Sequence, residues 1–202
     1  MAHPHETMQR TSHALAVGGD VWVIDPVGAP GLDDLLAEYG DVAGVVVLLD
    51  RHKRDAAALA RRHDVPVHLP HPLHAVADDL DAPTATFRHD LADTHYAASP
   101  LVERRVWSEA VLFSEETGVL VVPEAVGTVP FFRVGDERLG VHPGLRLKPP
   151  TSLPRFSPDR VLVGHGAGVH EDAPAALEAA VMGARRRAPR LFWKNAKALA
   201  PW

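Results

Sequence analysis

Between Asp50 and Asp55 the chain reads Asp-Arg-His-Lys-Arg-Asp, six consecutive ionisable side chains. An imidazole, two carboxylates, two guanidinium groups and an ammonium packed into one turn can bind a ligand, hold a cation, or pair off internally as salt bridges. The turn follows an unbroken apolar run from Val42 to Leu49. That places it just past the carboxyl end of a buried strand, where open α/β sheets bind their ligands. A second point of interest is His165, set between Gly164 and Gly166. Glycine on both sides lets the backbone turn tightly around the imidazole. Other histidines are read more plainly. His68, His71 and His74 are spaced to meet on a helix, but Pro70 and Pro72 oppose one, so the segment is expected to be a surface loop. His3, His5 and His13 belong to, or border, a polar start with adventitious metal affinity at most.

The elements that must position these residues can be read from periodicity. The Val42–Leu49 run is rich in β-branched residues, as expected of a strand covered on both faces. After Lys53 the period changes. Ala56, Leu59, Ala60 and His63 fall on one helical face, and the arginines fall mostly elsewhere. Upstream, Ala14–Val17 and Val21–Ile24 flank Gly18-Gly19-Asp20 and predict a hairpin ending at Asp25-Pro26. Leu32, Leu35, Leu36 and Tyr39 predict a helix closed by Gly40. Asp64–Leu69 predicts a strand parallel to the first, completing a right-handed βαβ unit. From Thr84 to Val134 the pattern turns to short strands: Thr84–Arg88, Leu101–Trp107, Ala110–Phe113 and Val119–Val122, with a turn at Glu116-Thr117-Gly118. They are expected to form an antiparallel sheet. A helix capped by Asp172 follows, carrying Ala173, Ala176, Leu177, Ala180, Val181 and Ala184 at helical spacing.

Three stretches, in this order, resemble the metallo-β-lactamase fold superfamily, which includes glyoxalase II-like hydrolases. The charged turn is similar to its T-H-x-H-x-D-H motif after a buried strand: Asp50 stands at the first His, His52 keeps the second, Arg54 stands at the Asp, and Asp55 at the third His. The Asp25-Pro26 strand end resembles the strand preceding that motif. The segment WSEAVLFSEETGVLVVPEAVGT resembles the hairpin ending in a metal-bridging Asp, whose place Glu124 takes; Arg105–Ser108 supply no histidine where the family's P-G-H-T-P-G-S turn has one. Ser157–Gly166 looks like the late strand ending in P-G-H-G, with His165 as its ligand. The resemblance implies an α/β (α+β) fold, an αββα four-layer sandwich with two mixed β-sheets flanked by helices. The domain is expected over residues 12–187, between a flexible arm at 1–11 and a basic tail at 188–202.

The family's dinuclear zinc site does not carry over, because an arginine cannot ligate and its charge repels a second metal. Two readings of the motif stay open. The preferred one is a diverged, metal-free, non-hydrolytic binding or accessory protein, with Arg54 pairing with Asp50, Asp55 or Glu124 in place of the cation. In the alternative, His52, His165 and some of Asp50, Asp55 and Glu124 hold one zinc, manganese or iron ion, and the protein hydrolyses an ester, thioester or phosphoester. A small-molecule ligand fits either.

Composition narrows the field further. A length of 202 residues, 46% of them hydrophobic, suits one domain with a full core. The absence of cysteine excludes disulfides, thiolate metal sites and a cysteine nucleophile, and fits a cytoplasmic location. No apolar run approaches the roughly 18 residues of a membrane span. A net charge of −5 gives no general signal for nucleic acid. Six basic residues, Arg185, Arg186, Arg187, Arg190, Lys194 and Lys197, do cluster near the end with Phe192, Trp193 and Trp202. There, cations complementing a helix carboxyl terminus are preferred over nucleic-acid contact. Oligomeric state is left open.

Overall fold

The computed structural model describes residues 8–199. The first sheet has the order β1-β2-β3-β4-β5, formed by His13–Val17, Asp20–Ile24, Asp41–Val46, Val67–Pro70 and Thr84–Phe87. The hairpin β1–β2 is antiparallel, and β2–β3, β3–β4 and β4–β5 are parallel. The second sheet runs β11-β8-β7-β6, formed by Arg160–Val163, Val119–Val122, Trp107–Ser114 and Ala97–Arg104. Its β6–β7 and β7–β8 pairs are antiparallel, and β8–β11 is parallel. A short pair, β9 (Val126–Gly127) and β10 (Gly140–Val141), lies beside it.

Alternation along the strands explains the layering. In β2, β3 and the run after it, Val21, Val23, Val45 and Val47 pack with Leu36 of α1 (Leu32–Ala37) and Ala56, Leu59 and Ala60 of α2 (Ala56–Arg62). The intervening Trp22, Ile24, Val46 and Leu48 face the other sheet and meet Leu112 and Val121. From the second sheet, Val111, Leu120, Val122, Val161 and Val163 face outward onto Ala173, Leu177, Ala180 and Ala184 of α3 (Ala173–Leu199). The order helix, sheet, sheet, helix is the αββα sandwich, built by period-2 strands that bury both faces. At Gly44 the rings of Trp22 and His68, from the flanking strands β2 and β4, close over the absent side chain: a Cβ there would lie 2.6 Å from the Trp22 ring and 2.9 Å from that of His68.

Several elements depart from the sequence reading. Thr84–Phe87 is not part of the antiparallel sheet; it is the parallel edge of the first sheet, because the chain returns beside β4. The second sheet's first hairpin turns at Arg105-Val106, so Trp107 opens β7 and does not close β6. His71–Asp79 forms a 3₁₀ helix, whose i→i+3 bonding tolerates the proline at its start. Residues 8–11, read as part of a flexible arm, pair with the loop after β11: Arg10 bridges His165, and Thr11 N–H donates to the Gly164 carbonyl. The last helix does not stop near Arg187 but runs through Pro189 to Leu199. His3, His5 and Trp202 lie outside the described residues.

Candidate functional site

The apolar run keeps its burial to Leu49 but leaves the first sheet after Val46. Leu48 N–H donates to Asp25 Oδ1 (2.9 Å), Leu48 C=O accepts from Ala110, and Leu49 forms a bridge with Glu109. The strand therefore hands the chain from one sheet to the other, and the charged turn emerges at the end of the sandwich where β2, β8 and β11 also finish. From there Asp25, Glu124 and His165 approach His52.

His52 is 5% exposed, His165 5% and Glu124 8%. Among the described residues, these three form the group able to offer one ligand atom each within 4.8 Å of the others. The two imidazole centroids are 5.5 Å apart. Thus the tip after the valine strand and the glycine-flanked histidine face one cleft. Gly164 makes this approach possible, since a Cβ there would meet the Pro123 carbonyl oxygen at 2.2 Å.

Hydrogen bonds fix both ring tautomers. His52 Nδ1 lies 3.0 Å from Asp25 Oδ2; a carboxylate only accepts, so Nδ1 carries the proton and Nε2 turns its lone pair to the cleft. His165 Nδ1 donates to the Met8 carbonyl at 3.0 Å and leaves Nε2 in the same condition. Burial holds the His165 pKa below the ordinary imidazole value, and Phe132 stacks on the ring at 5.6 Å. His142 is arranged the opposite way. Its Nδ1 accepts from Gly144 N–H, so the proton sits on Nε2, which faces Glu124 Oε1 at 3.5 Å. His142 thereby turns an N–H toward Glu124, not a free lone pair. Burial among Trp107, Phe131 and Phe132 pushes its pKa down to about 4.

Glu124 is held from below as well. Glu109, fully buried on β7, accepts from Glu124 N–H and Ala125 N–H at 2.8 Å each, and from Trp107 Nε1 at 2.7 Å. Burial raises the Glu109 pKa to about 7 against these three donors. The loop carrying Phe132 and His142 is anchored by Arg146, also fully buried, in a two-pronged pair with Glu137 (2.8 and 2.7 Å) and on the Phe132 and Val141 carbonyls.

The cations take particular positions. Arg54, at φ 40°, donates through Nη1 to the carbonyls of Thr11 and Asp25 (2.9 Å each) and through Nη2 to the Gly164 carbonyl (3.3 Å). The same Nη2 sits 3.2 Å from His52 Nε2, where it donates into the lone pair. Arg51, stacked over Trp107 at 4.0 Å, donates Nε–H to Glu124 Oε2 at 2.9 Å. The carboxylate pairing assigned to Arg54 from sequence is made at Glu124 by its neighbour Arg51. Asp50 and Asp55 turn to other partners. Asp50 accepts from Ser108 N–H and Arg51. Asp55 accepts from Gly28 N–H and tethers the loop after β2 to the start of α2.

A metal ion fits this donor set only in part. Two imidazoles with their outer nitrogens anchored and one carboxylate are a ligand-ready arrangement, with Asp25 as the orienting partner. Yet His52 Nε2 already receives Arg54, and Glu124 already receives Arg51. Sequence reasoning missed His142 and Glu109. It placed Asp25 at the end of a strand and did not pair it with His52. All three act by orienting other residues, and no local spacing marks them.

No protein-family model and no curated protein matches the chain. Solved structures do. Over 90% of this chain and 85% of the other, it superposes on the DIM-1 metallo-β-lactamase exposed to ceftazidime, with a TM-score of 0.59 at 13% identity. It superposes on a metallo-β-lactamase from Pontibacter korlensis over 86% of this chain and 87% of that one, with a TM-score of 0.58 at 13% identity. A third similar structure is TTHA1623 in a di-iron-bound form, with a TM-score of 0.57 at 19% identity, covering 88% of this chain and 98% of that one.

Proposed function

We propose, for a chain that has the metallo-β-lactamase fold, a non-hydrolytic binding or accessory role in which Arg54 takes the place of the metal. One observation carries the reading: the Arg54 guanidinium bonds His52 Nε2 and also the carbonyls of Thr11, Asp25 and Gly164. It ties together segments that a bound cation would otherwise hold. A guanidinium does this with fixed charge and directional donors, and it cannot polarise water by coordination. The cleft then serves to recognise a small molecule. Arg51 and His142 stand on Glu124, and Phe131 packs on His142, as its walls.

A second reading keeps the chemistry of the fold: a single zinc, manganese or iron ion on His52, Glu124 and His165, and hydrolysis of an ester, thioester or phosphoester. What favours it is the convergence of those three side chains with both Nε2 lone pairs turned inward. Metal analysis of untagged protein separates the two. The first reading expects well under 0.1 equivalent of metal and no turnover of generic ester, thioester or phosphoester substrates. One equivalent of metal, lost in His52→Ala together with turnover, would establish the second.

A further inference from the structure

The last helix bears a feature unrelated to the cleft. From Ala179 to Leu199 there are six basic residues and no acidic one, which leaves a net charge of −11 on the rest of the chain. Cations near a helix carboxyl terminus are ordinarily explained by the dipole, whose effect fades beyond the last turn. Here only Lys197 lies in the last turn. Arg185, Arg186 and Arg190 stand nine to fourteen residues before Leu199, more than two turns inside the helix at about 3.6 residues per turn. Two of the other cations are engaged: Arg187 pairs with Asp136 and Glu137, and Lys194 binds the carbonyls of Pro130 and Arg133. Arg185, Arg186 and Arg190 are exposed and form no ion pair among the described residues.

One aromatic residue falls on the same surface. Trp193 is 62% exposed, an unusual position for so large an apolar ring, and Lys197 Nζ lies 3.9 Å over one face of it. At about 100° per residue, Arg186, Arg190, Trp193 and Lys197 occupy an arc of roughly 60°, and Met182, 74% exposed, extends the stripe by one turn. Phe192, 40% exposed, and Arg185 lie side by side, about 80–100° round the helix from Trp193.

We propose that this stripe binds single-stranded nucleic acid, with phosphates on Arg185, Arg186, Arg190 and Lys197 and a base on the open face of Trp193. Guanidinium groups interleaved with an exposed ring are the two components that single strands require. A membrane surface asks for a continuous apolar face with cations at its margins. Here the cations share the stripe with the ring and would have to be buried with it. The acidic remainder of the chain directs a polyanion to this face.

The test uses the full chain and fluorescently labelled 20-nucleotide oligothymidine and oligouridine, read by anisotropy. Binding at 50 mM salt is expected to weaken with a log–log slope of about −3, four phosphate contacts at about 0.7 each. Arg186→Glu with Arg190→Glu should weaken it more than tenfold, and Trp193→Ala about tenfold. Unchanged melting temperatures, expected for exposed positions, show that the variants remain folded. Preference between the two oligomers tells RNA from DNA within the proposal. Absence of binding at 50 mM salt, binding indifferent to these substitutions, or binding to phosphatidylglycerol vesicles that the oligomers do not displace would each overturn it.

Discussion

Replacing Arg54 with alanine tests the reading of the cleft most directly, because it removes the guanidinium and leaves the three candidate ligands in place. Among the described residues, the side chain makes three hydrogen bonds to backbone carbonyls and one to His52 Nε2. Bonds to a charged group contribute about 1.5–3 kcal/mol each, and they do not add fully when they share one donor group. The expected loss is about 3–5 kcal/mol, a large part of the roughly 5–15 kcal/mol that keeps a domain folded. Denaturant unfolding should show it as a fall in midpoint at constant slope. The second expectation is a gain. With His52 Nε2 released, His52, Glu124 and His165 should take up one zinc ion, and zinc at a hundredfold over its dissociation constant should return about 2.7 kcal/mol. Zinc should leave the midpoint of the parent protein unmoved. If the parent is stabilised by zinc as much as the variant is, or if Arg54→Ala unfolds at the parental midpoint, the arginine is not the internal cation described above.

Other outcomes follow from the supporting residues. Glu109→Ala removes the acceptor of three buried donors and should cost about 3–5 kcal/mol in denaturant unfolding; Glu109→Gln, which keeps an acceptor oxygen, should cost less. Glu137→Ala leaves Arg146 buried without its carboxylate and should also cost about 3–5 kcal/mol, whereas replacing both by apolar residues of similar volume should recover most of that. Stability should depend on pH below neutrality. Burial lowers His13 and His142 to about 4, so between about 6.5 and 4 the unfolded chain binds more protons than the folded one and stability falls as pH drops, by at most roughly 3 kcal/mol per histidine. Glu109, raised to about 7, acts with the opposite sign between about 4.5 and 7 and offsets one of them. Melting curves of His13→Asn and Glu109→Gln measured from pH 7 to 4.5 should flatten and steepen this dependence, respectively.

Periodicity reveals most of the layers in this chain, because buried strands and amphipathic helices must repeat at 2 and 3.6. The helices of Leu32–Ala37 and Ala56–Arg62 and the hairpin before them follow the pattern directly. Thr84–Phe87 did not reveal its sheet, since a four-residue strand looks the same whether its partner is parallel or antiparallel. The 3₁₀ helix after Pro70 was hidden for a related reason: prolines oppose an α-helix but open a tighter one well. At the cleft, motif order singles out His52, Glu124 and His165, which the fold brings together. The acceptors that orient the two imidazoles come from distant positions, 27 residues away for Asp25 and 157 for the Met8 carbonyl, and nothing near those residues in the sequence records the pairing. Arg54 was recognised as a cation in a ligand's place. That its bonds reach Thr11 and Gly164 depends on a left-handed backbone turn at Arg54 itself, which a non-glycine residue does not announce.

The bond from the Met8 carbonyl to His165 has a practical corollary for anyone handling the protein. Met8 sets which nitrogen of a cleft imidazole carries the hydrogen, and Gln9 and Thr11 secure the loop that presents it. A purification handle fused upstream would join the chain a few residues before that bond. A polyhistidine sequence there would bring its own imidazoles, scavenge ions during affinity chromatography and imitate a resident metal. Cleavable handles removed before elemental analysis, with the leader residues left otherwise native, give the measurement its meaning.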